Sequence, residues 1–265
     1  MNQLTTEQEN RKRIRKVENA FRRSGMPLSI PGRVLMGEGR LLKQGRKKQA
    51  LKAFFLFNDI LVYGSVIMNG HWYKKQKIIA LEDIKIEDLE DSENMKNQWL
   101  MCTPRKSFYV SASSYEDKRA WIDHIRDCRS RVLEDTDIQP GTNFAMSWIP
   151  DKNAQKCMRC LKKFNAIIWR HHCRKCGFVV CNECSKEREL IEYIDSTQEV
   201  RICKVCYNKD DSDDDSSRQR GDSSGMHSSE EEEGAMSGDE EQVQTSSSWL
   251  DTKDGTWGRL STIYL

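Results

Sequence analysis

The sequence contains no apolar run of the roughly 18 residues that a membrane-spanning helix requires. Its charged start, MNQLTTEQENRKRIRK, also lacks the apolar core of a secretory signal. We therefore expect the protein to be made and kept in the cytoplasm. Hydrophobic residues form only 37% of the 265 residues, which is low for one packed globule of this length. Part of the chain is thus predicted to build no core.

Motifs for catalysis are missing too. Gly37-Glu38-Gly39 is too short to form a phosphate-cradling loop, and no nucleophile stands in a recognisable pattern with a base. The three histidines outside the cysteine-rich region are isolated from one another. The sequence therefore predicts that the protein is not an enzyme.

Charge is distributed unevenly along the chain. The formal net charge is +2, but residues 1–207 carry a net charge of +12 and residues 208–265 carry −10. A basic body joined to an acidic tail indicates an anionic partner.

The first domain is predicted from short strands followed by one helix. Between Val34 and Val110 the sequence forms β-rich runs separated by turns, such as AFFLF. From Ser114 to about Val132 the apolar period becomes helical, with Trp121 on the apolar face. The fold class is therefore mainly β plus α and multidomain, and residues 34–133 are expected to form an antiparallel β-barrel capped by a C-terminal helix.

Residues 1–33 are predicted to form an N-terminal helix and a linker. The helix is expected from Glu7 to Arg23, with a thin apolar stripe of Ile14, Val17 and Phe21. We favour docking of this stripe onto the following domain. Binding of the helix to a membrane surface is the alternative.

The regions that follow the first domain differ in composition. Residues 134–146 form a predicted linker, and residues 147–208 form a second, cysteine-rich domain. Residues 209–265 are rich in Asp, Ser, Glu and Gly and should form a disordered acidic tail, because they bury too little apolar area to offset ordering entropy. The last segment, 249–265, could be a short docking peptide, but it contains no motif that supports this role.

Eight of the ten cysteines form four Cys-x-x-Cys pairs, which predicts two closed, structural zinc sites. Four thiolates per ion leave no open position for catalysis. The short connection between Cys176 and Cys181 favours interleaved pairing, and sequential pairing is the alternative. The other two cysteines, Cys102 and Cys128, are expected in the core. The predicted ligands are Cys157, Cys160, Cys173, Cys176, Cys181, Cys184, Cys203 and Cys206.

Basic residues concentrate beside one of these ligands, in the run RHHCRKC that starts at Arg170. Arginine and protonated histidine on a metal-stiffened backbone are suited to a phosphate dianion. Arg201, next to another ligand, could reach the same place. Nucleic acid is not expected as a partner, because the cluster has few aromatic residues and no recognition helix follows it.

An apolar run precedes the basic cluster and is expected to insert into a membrane. In a domain this small, consecutive large apolar residues have little core to enter. The residues expected to insert are Ile167, Ile168 and Trp169, although Ile168 and Phe164 could instead pack in the core.

The second domain resembles a FYVE zinc finger. The resemblance rests on WIPD at 148–151, RHHCRKCG at 170–177 and RIC at 201–203. It implies interleaved zinc pairing and recognition of phosphatidylinositol 3-phosphate on early endosomes. It also implies that the headgroup is contacted by Asp151, Arg170, His171, His172, Arg174 and Arg201. Trp169 departs from the pattern, since the family usually has an arginine there.

The first domain resembles a pleckstrin-homology (PH) domain, through its strand pattern and the single Trp121 of its helix. The order of the two domains and the acidic tail resembles the phafin family of endosomal adaptors. The resemblance implies a second phosphoinositide site, for which the candidates near the first hairpin are Lys43, Arg46, Lys47, Lys48 and Lys52. A solvated run of charge is the alternative for these residues.

The expected function is a peripheral adaptor that binds phosphatidylinositol 3-phosphate membranes at the early endosome and acts in endosomal trafficking and autophagy. Its partners would include trafficking proteins that the sequence does not identify. A zinc-finger ubiquitin ligase or a protein-interaction scaffold is the alternative.

Overall fold

The computed structural model describes residues 3–21, 25–45, 48–67, 72–91, 96–135, 143–208, 247–251 and 256–259. The helices are α1 (Gln3–Ala20), α2 (Tyr115–Asp135) and α3 (Lys204–Tyr207). The strands of the first domain are β1 (Leu35–Gln44), β2 (Gln49–Phe57), β3 (Ile60–Ile67), β4 (Trp72–Ala80), β5 (Lys85–Asp88), β6 (Gln98–Cys102) and β7 (Phe108–Ser111). The later strands are β8 (His171–His172), β9 (Val179–Val180), β10 (Arg188–Glu189), β11 (Val200–Arg201), β12 (Ser248–Leu250) and β13 (Trp257–Arg259).

The first domain is an antiparallel sheet that bends around one core and is closed by α2. The strand order is β4-β3-β2-β1-β7-β6-β5, and β1 joins the two halves because its end pairs with β7 through Leu42 and Lys43. Trp99 and Trp121 are fully buried between the sheet and α2. The predicted barrel with its C-terminal helix is therefore confirmed.

The apolar run of β2 reflects burial on both faces of the strand. Phe54 and Leu56 point into the main core, whereas Phe55 and Phe57 belong to a second cluster on the outer face of the sheet. A strand covered on both faces reads as a continuous apolar run, which explains the sequence AFFLF.

Helix α1 covers that outer face. Ile14, Val17 and Phe21 are each at most 3% exposed and pack into the second cluster. Glu18 fixes the turn after the helix, because its Oε1 accepts hydrogen bonds from the backbone N–H groups of Leu28 and Ser29 at 2.6 and 2.9 Å. Docking onto the first domain, rather than membrane binding by this stripe, is confirmed. The helix runs from Gln3 to Ala20 instead of the expected Glu7 to Arg23, and residues 22–24 lie outside the described residues.

The expectation of a disordered tail over 209–265 needs correction at two places. Strand β12 pairs antiparallel with β1, and β13 pairs with β12. Trp249 is only 7% exposed and packs against Trp121, with ring centroids 4.8 Å apart. Apolar residues of this segment find their core partners in the first domain, which local composition cannot show. Residues 209–246, 252–255 and 260–265 lie outside the described residues.

The second domain has short elements and a thin core. Pairs β8–β9 and β10–β11 are two-residue ladders, and the buried cluster consists mainly of cysteines with Ile191, Ile194 and Ile202. The connection from α2 includes residues 136–142, which are not described, and Ala145, which is buried. Among the described residues, no helix has both the length and the apolar character needed to cross a membrane.

Candidate metal centres and phosphoinositide site

The eight predicted ligands assemble into two groups of four. One group is Cys157, Cys160, Cys181 and Cys184, and the other is Cys173, Cys176, Cys203 and Cys206. The Sγ atoms within each group lie within 4.8 Å of one another. The first and third pairs therefore share one site and the second and fourth pairs share the other, which confirms the interleaved arrangement.

The spacing of the sulfur atoms fits zinc. Cys160 Sγ and Cys181 Sγ are 3.7 Å apart, and Cys176 Sγ and Cys203 Sγ are 4.0 Å apart. A ZnS₄ tetrahedron with Zn–S bonds of about 2.3 Å has edges of about 3.8 Å. Each group of four soft donors at this spacing would hold one structural zinc ion with a closed coordination shell, so the finger has sites for two zinc ions.

Backbone amides support the thiolates. The N–H groups of Cys176 and Cys203 donate to Cys173 Sγ at 3.5 and 3.3 Å, and the N–H of Cys181 donates to Cys157 Sγ at 3.3 Å. Arg159 Nη2 donates to Cys176 Sγ at 3.5 Å. These donors favour the deprotonated form that a metal ligand requires.

Trp148 is the centre of the basic cluster. Its ring stacks on the His172 imidazole with centroids 4.8 Å apart and planes 15° apart. The Arg174 guanidinium carbon lies 4.0 Å from the Trp148 centroid. His172 Nε2 donates to Ile149 O at 2.9 Å and lies 3.6 Å from Asp151 Oδ1. The WIPD motif is thus folded directly against the histidine of the second motif.

Arg170 lies deep in the same cluster. It is 7% exposed, its Nε donates to Ala154 O at 3.1 Å, and its guanidinium lies over the Phe164 ring at 4.7 Å. Burial lowers the pKa of Arg170, and the nearby Asp151 carboxylate acts in the opposite direction. The side chain is therefore held in a fixed position by backbone, ring and carboxylate together.

Arg201 reaches the cluster through its backbone rather than its side chain. The Arg174 N–H donates to Arg201 O at 2.9 Å. The Arg201 guanidinium donates instead to Asn182 Oδ1 at 3.0 Å and to Ser185 O at 2.7 Å. Burial, and then the charge of Arg188, lowers the pKa of Arg201. His171 is half-buried in β8 beside His172.

The apolar run before the cluster forms a tight loop. Asn165 Oδ1 accepts hydrogen bonds from the N–H groups of Ile167 and Ile168, both at 2.8 Å. Ile167 is 89% exposed and Trp169 is 49% exposed. Ile168 is half-buried and packs against the finger core, which favours the core alternative for this residue, and its insertion stays a prediction.

The candidates for a second lipid site are only partly described. Lys43 Nζ lies 4.0 Å from the Phe108 ring centroid, and Lys52 Nζ donates to Ser65 Oγ at 2.8 Å. Lys43 pairs with Ala50 and Lys52 pairs with Leu41, so both lysines lie on the core-facing side of the hairpin. Lys48 is exposed, and Arg46 and Lys47 lie outside the described residues.

The first hairpin and the finger are neighbours. A small cavity of about 40 Å³ is lined by Gln44 and Gly45, from the end of β1, and by Ile149 and His172 of the finger. Lys106 of the first domain lies 4.3 Å from the Trp148 centroid. The candidate site of the first domain therefore lies beside the basic cluster of the second.

Sequence reasoning missed several residues of this region. Lys106 joins the cluster from the other domain, and Phe164 supports Arg170 from below. Ser107 Oγ donates to Ala145 O at 2.5 Å, and the Ala145 N–H donates to Thr103 O at 3.1 Å. The contacts of Lys106, Ser107 and Thr103 join the first domain to residues far along the chain and carry no local signal. Only Asn165, a residue typical of turns, could have been recognised from the sequence.

Comparisons with known proteins agree with this architecture. The FYVE zinc finger family matches residues 147–212, and the PH domain family matches residues 34–130. The chain is 50% identical over 201 residues to pleckstrin homology domain-containing family F member 1 of Rattus norvegicus, covering 76% of this chain and 72% of the relative. It is 47% identical over 209 residues to family F member 2 of Gallus gallus, covering 78% of this chain and 84% of the relative.

Among solved structures, the LM5-1 FYVE domain from Leishmania major is 40% identical, covers 23% of this chain and 71% of that chain, and has a TM-score of 0.21. The two family matches together span both domains, and the relatives match across most of their own length. The chain therefore belongs to the phafin family of phosphoinositide-binding adaptors, which combine a PH domain with a FYVE zinc finger.

Proposed function

We propose that this protein is a non-catalytic adaptor that binds phosphatidylinositol 3-phosphate on early endosomes. There it would bring trafficking proteins to the membrane and act in endosomal trafficking and autophagy. The observation that supports this proposal best is one connected cluster beside an exposed apolar loop. His172 and Arg174 pack on Trp148, and Asp151 lies 3.6 Å from His172 and close enough to Arg170 to influence its charge.

The cluster has the chemistry for one phosphate and one ring hydroxyl. Guanidinium and imidazole N–H groups donate charge-assisted hydrogen bonds to phosphate oxygens. Asp151 Oδ1 is buried, and no group of the described residues donates a hydrogen bond to it. A carboxylate in this position can accept a bond from an inositol hydroxyl, and it would repel a second phosphate. This argument favours a singly phosphorylated ring.

Arg170 and Arg201 have different roles in this proposal. Arg170 is held against Ala154 and Phe164 inside the cluster and would contact the phosphate. Arg201 would act as a positioning residue, because its guanidinium binds Asn182 and Ser185 while its carbonyl holds the backbone of Arg174. His171, which follows Arg170 in the chain and lies in β8, is the remaining expected headgroup contact.

Loop insertion would add membrane affinity. Ile167 and Trp169 are the exposed large apolar side chains of this loop. Complete burial of a large apolar side chain is worth about 1.5–3 kcal/mol. The Trp169 Nε1–H donates to Ala166 O at 2.6 Å. The indole would therefore enter the membrane with its N–H group already hydrogen-bonded.

The hairpin lysines would supply a second, weaker contact with the same membrane. Lys43 and Lys52 lie on the hairpin whose end borders the finger. A second site on the same chain raises overall affinity through effective concentration, without requiring a new strong contact. Two modest sites beside each other therefore suffice for stable recruitment.

Sedimentation with vesicles tests this function. Vesicles carrying one phosphoinositide at a time should retain the zinc-loaded protein only when they contain the 3-phosphate lipid. Arg170→Ala should lose most of this binding while keeping two zinc ions per chain. Lys204→Ala removes the same charge from an exposed position on the finger and is the matched control. Binding that follows total lipid charge and ignores Arg170 would reject the proposal.

A further inference from the structure

A large cavity lies on the opposite side of β1 and β2 from the main core. Its volume is about 1080 Å³, and it is an open groove bordered by α1, by the outer face of the sheet and by β12. None of its lining residues belongs to the finger or to the candidate lipid site on the first hairpin. The volume is that of a specific ligand site rather than of a packing defect.

One wall of the cavity is strongly basic. The cationic residues that line it are Arg11, Lys12, Arg15, Lys16 and Arg40. Glu38 is the one acidic residue among the lining residues. The four helical cations are exposed and stand at i, i+4 spacing, so they repel one another along one face of α1. An anionic ligand would relieve that repulsion.

Two of these cations are not neutralised by nearby carboxylates. Arg11 pairs with Glu7 and Lys12 lies 3.9 Å from Glu9. Within the described part of the chain, the side chains of Arg15 and Lys16 form no ion pair or hydrogen bond. Their positive charge is therefore directed to the cavity and its mouth without an internal counterion.

The floor of the cavity is apolar and aromatic. Val17, Ala53 and Phe55 are each at most 4% exposed, and Tyr73 packs on Phe55 with ring centroids 5.4 Å apart. Trp72 extends this floor along β4 and is half-buried. Because Val17, Ala53 and Phe55 are already covered, the apolar surface left open comes from Trp72 and Tyr73. A large apolar side chain gains more from this surface than a phosphate or an inositol ring does.

The third wall comes from the C-terminal segment, which packs in one defined position against β1, α2 and α1. A Cβ on Gly37 would overlap the Trp249 ring, so this position of β1 requires glycine. Trp121 Nε1 donates to Ser247 Oγ at 2.8 Å, and both groups are buried. Arg13 of α1 lies over the Trp257 ring at 4.5 Å. The two ends of the chain are thus fixed against each other to form one cavity.

We propose that this cavity binds an acidic peptide segment of a partner protein that presents a large apolar side chain between its acidic residues. The apolar side chain enters the cavity over Trp72 and Tyr73, and the flanking carboxylates face Arg15, Lys16 and Arg40. The cations from Arg11 to Lys16 span about 7.5 Å along the helix axis, which is the reach of two or three extended peptide residues. This partner site is independent of lipid recognition by the finger.

Fluorescence anisotropy with the full-length, zinc-loaded protein tests the proposal. The probe is a labelled peptide Glu-Glu-Trp-Glu-Glu, compared with Glu-Glu-Ala-Glu-Glu and Lys-Lys-Trp-Lys-Lys. The tryptophan-containing acidic peptide should bind, and the other two should bind at least roughly tenfold more weakly. Equal binding of the alanine and tryptophan peptides would show charge attraction alone and would overturn the proposal.

Matched variants locate the site. Arg15→Ala combined with Lys16→Ala should weaken peptide binding roughly tenfold, because two facing charges are removed. Arg126→Ala combined with Arg131→Ala removes the same charge from exposed positions of α2 and should have no effect. Arg15→Lys combined with Lys16→Arg should keep most of the binding. Unchanged affinity in the first double variant would overturn the assignment.

Vesicle binding separates this site from the proposed lipid function. The Arg15 and Lys16 double alanine variant should bind vesicles with 3-phosphate lipid as well as the wild type, and Arg170→Ala should still bind the peptide. If the double variant instead loses vesicle binding and keeps peptide binding, the cavity is a lipid site and the peptide proposal is wrong.

Discussion

The first domain buries Trp99, Trp121 and Phe54 completely, whereas the finger buries mainly cysteines and a few isoleucines. One domain draws its stability from a large apolar core, to which α1 and the C-terminal hairpin contribute from opposite ends of the chain. The other has two-residue strands, and we expect it to need its metal ions to fold. The comparison leads us to expect that loss of apolar packing unfolds the first domain and loss of zinc unfolds the finger.

Removal of zinc should have the largest effect and should act on one domain only. Structural zinc contributes apparent free energies of about 10–16 kcal/mol in zinc-finger peptides. A strong chelator should therefore unfold residues 147–208 while the first domain keeps its thermal transition. Hydrogen exchange measured by mass spectrometry would report both regions at once. Protection lost equally in both domains would contradict the comparison.

Trp121→Ala should produce the reverse pattern. The side chain is fully buried, packs on Trp249 and donates to Ser247. We expect a loss of about 3–5 kcal/mol in the free energy of unfolding of the first domain. Zinc content should stay at two ions per chain. Trp169→Ala, at a position 49% exposed, is the matched control and should cost about 0.5 kcal/mol or less in a urea titration.

Gly37→Ala tests whether the C-terminal hairpin belongs to the first domain. A methyl group at this position would overlap the Trp249 ring, and overpacking of this kind costs about 1–3 kcal/mol. We expect the hairpin to be displaced, with faster hydrogen exchange at residues 247–251 and no change in the finger. Gly258→Ala, where a methyl group meets open space, should leave exchange unaltered. Equal exchange in both variants would refute the proposed fit.

Ile167→Ser should alter membrane binding without altering stability. The side chain is 89% exposed, so its loss costs the fold almost nothing. If it enters the membrane, vesicle affinity should fall by about tenfold. Leu190→Ser changes another exposed apolar side chain of the finger and serves as the control. A similar decrease in both variants would show that any exposed apolar side chain of the finger contributes to vesicle binding, and that Ile167 has no special role in insertion.

Lys106→Ala should have the smallest effect and concerns the contact between the domains. An exposed cation–π pair such as Lys106 with Trp148 contributes about 0.5–1 kcal/mol. Its loss should shift the unfolding transition of the finger only slightly and leave that of the first domain in place. A large loss of stability in both domains would show that they fold as one unit.

Much of the fold and of the metal centres could be predicted because the signals are local. The Cys-x-x-Cys spacing turns two thiolates toward one ion wherever the pair occurs, and the strand and helix periods repeat within a few residues. The basic run beside Cys173 is also a local signal, because its charged residues are consecutive in the sequence. The location of Ile168 could not be predicted, because burial of one residue in a short loop depends on which side of the loop meets the finger core.

The sequence by itself determined the two-domain order, the eight metal ligands and the apolar stripe of α1. Each depends on residue type and spacing within a short stretch of chain. Only the tertiary structure decided that Trp249 pairs with β1, that Lys106 joins Trp148 and that α1, β1 and β12 border a basic cavity. These features join residues that are far apart in the chain, and their energies come from shape and charge complementarity that no single segment contains.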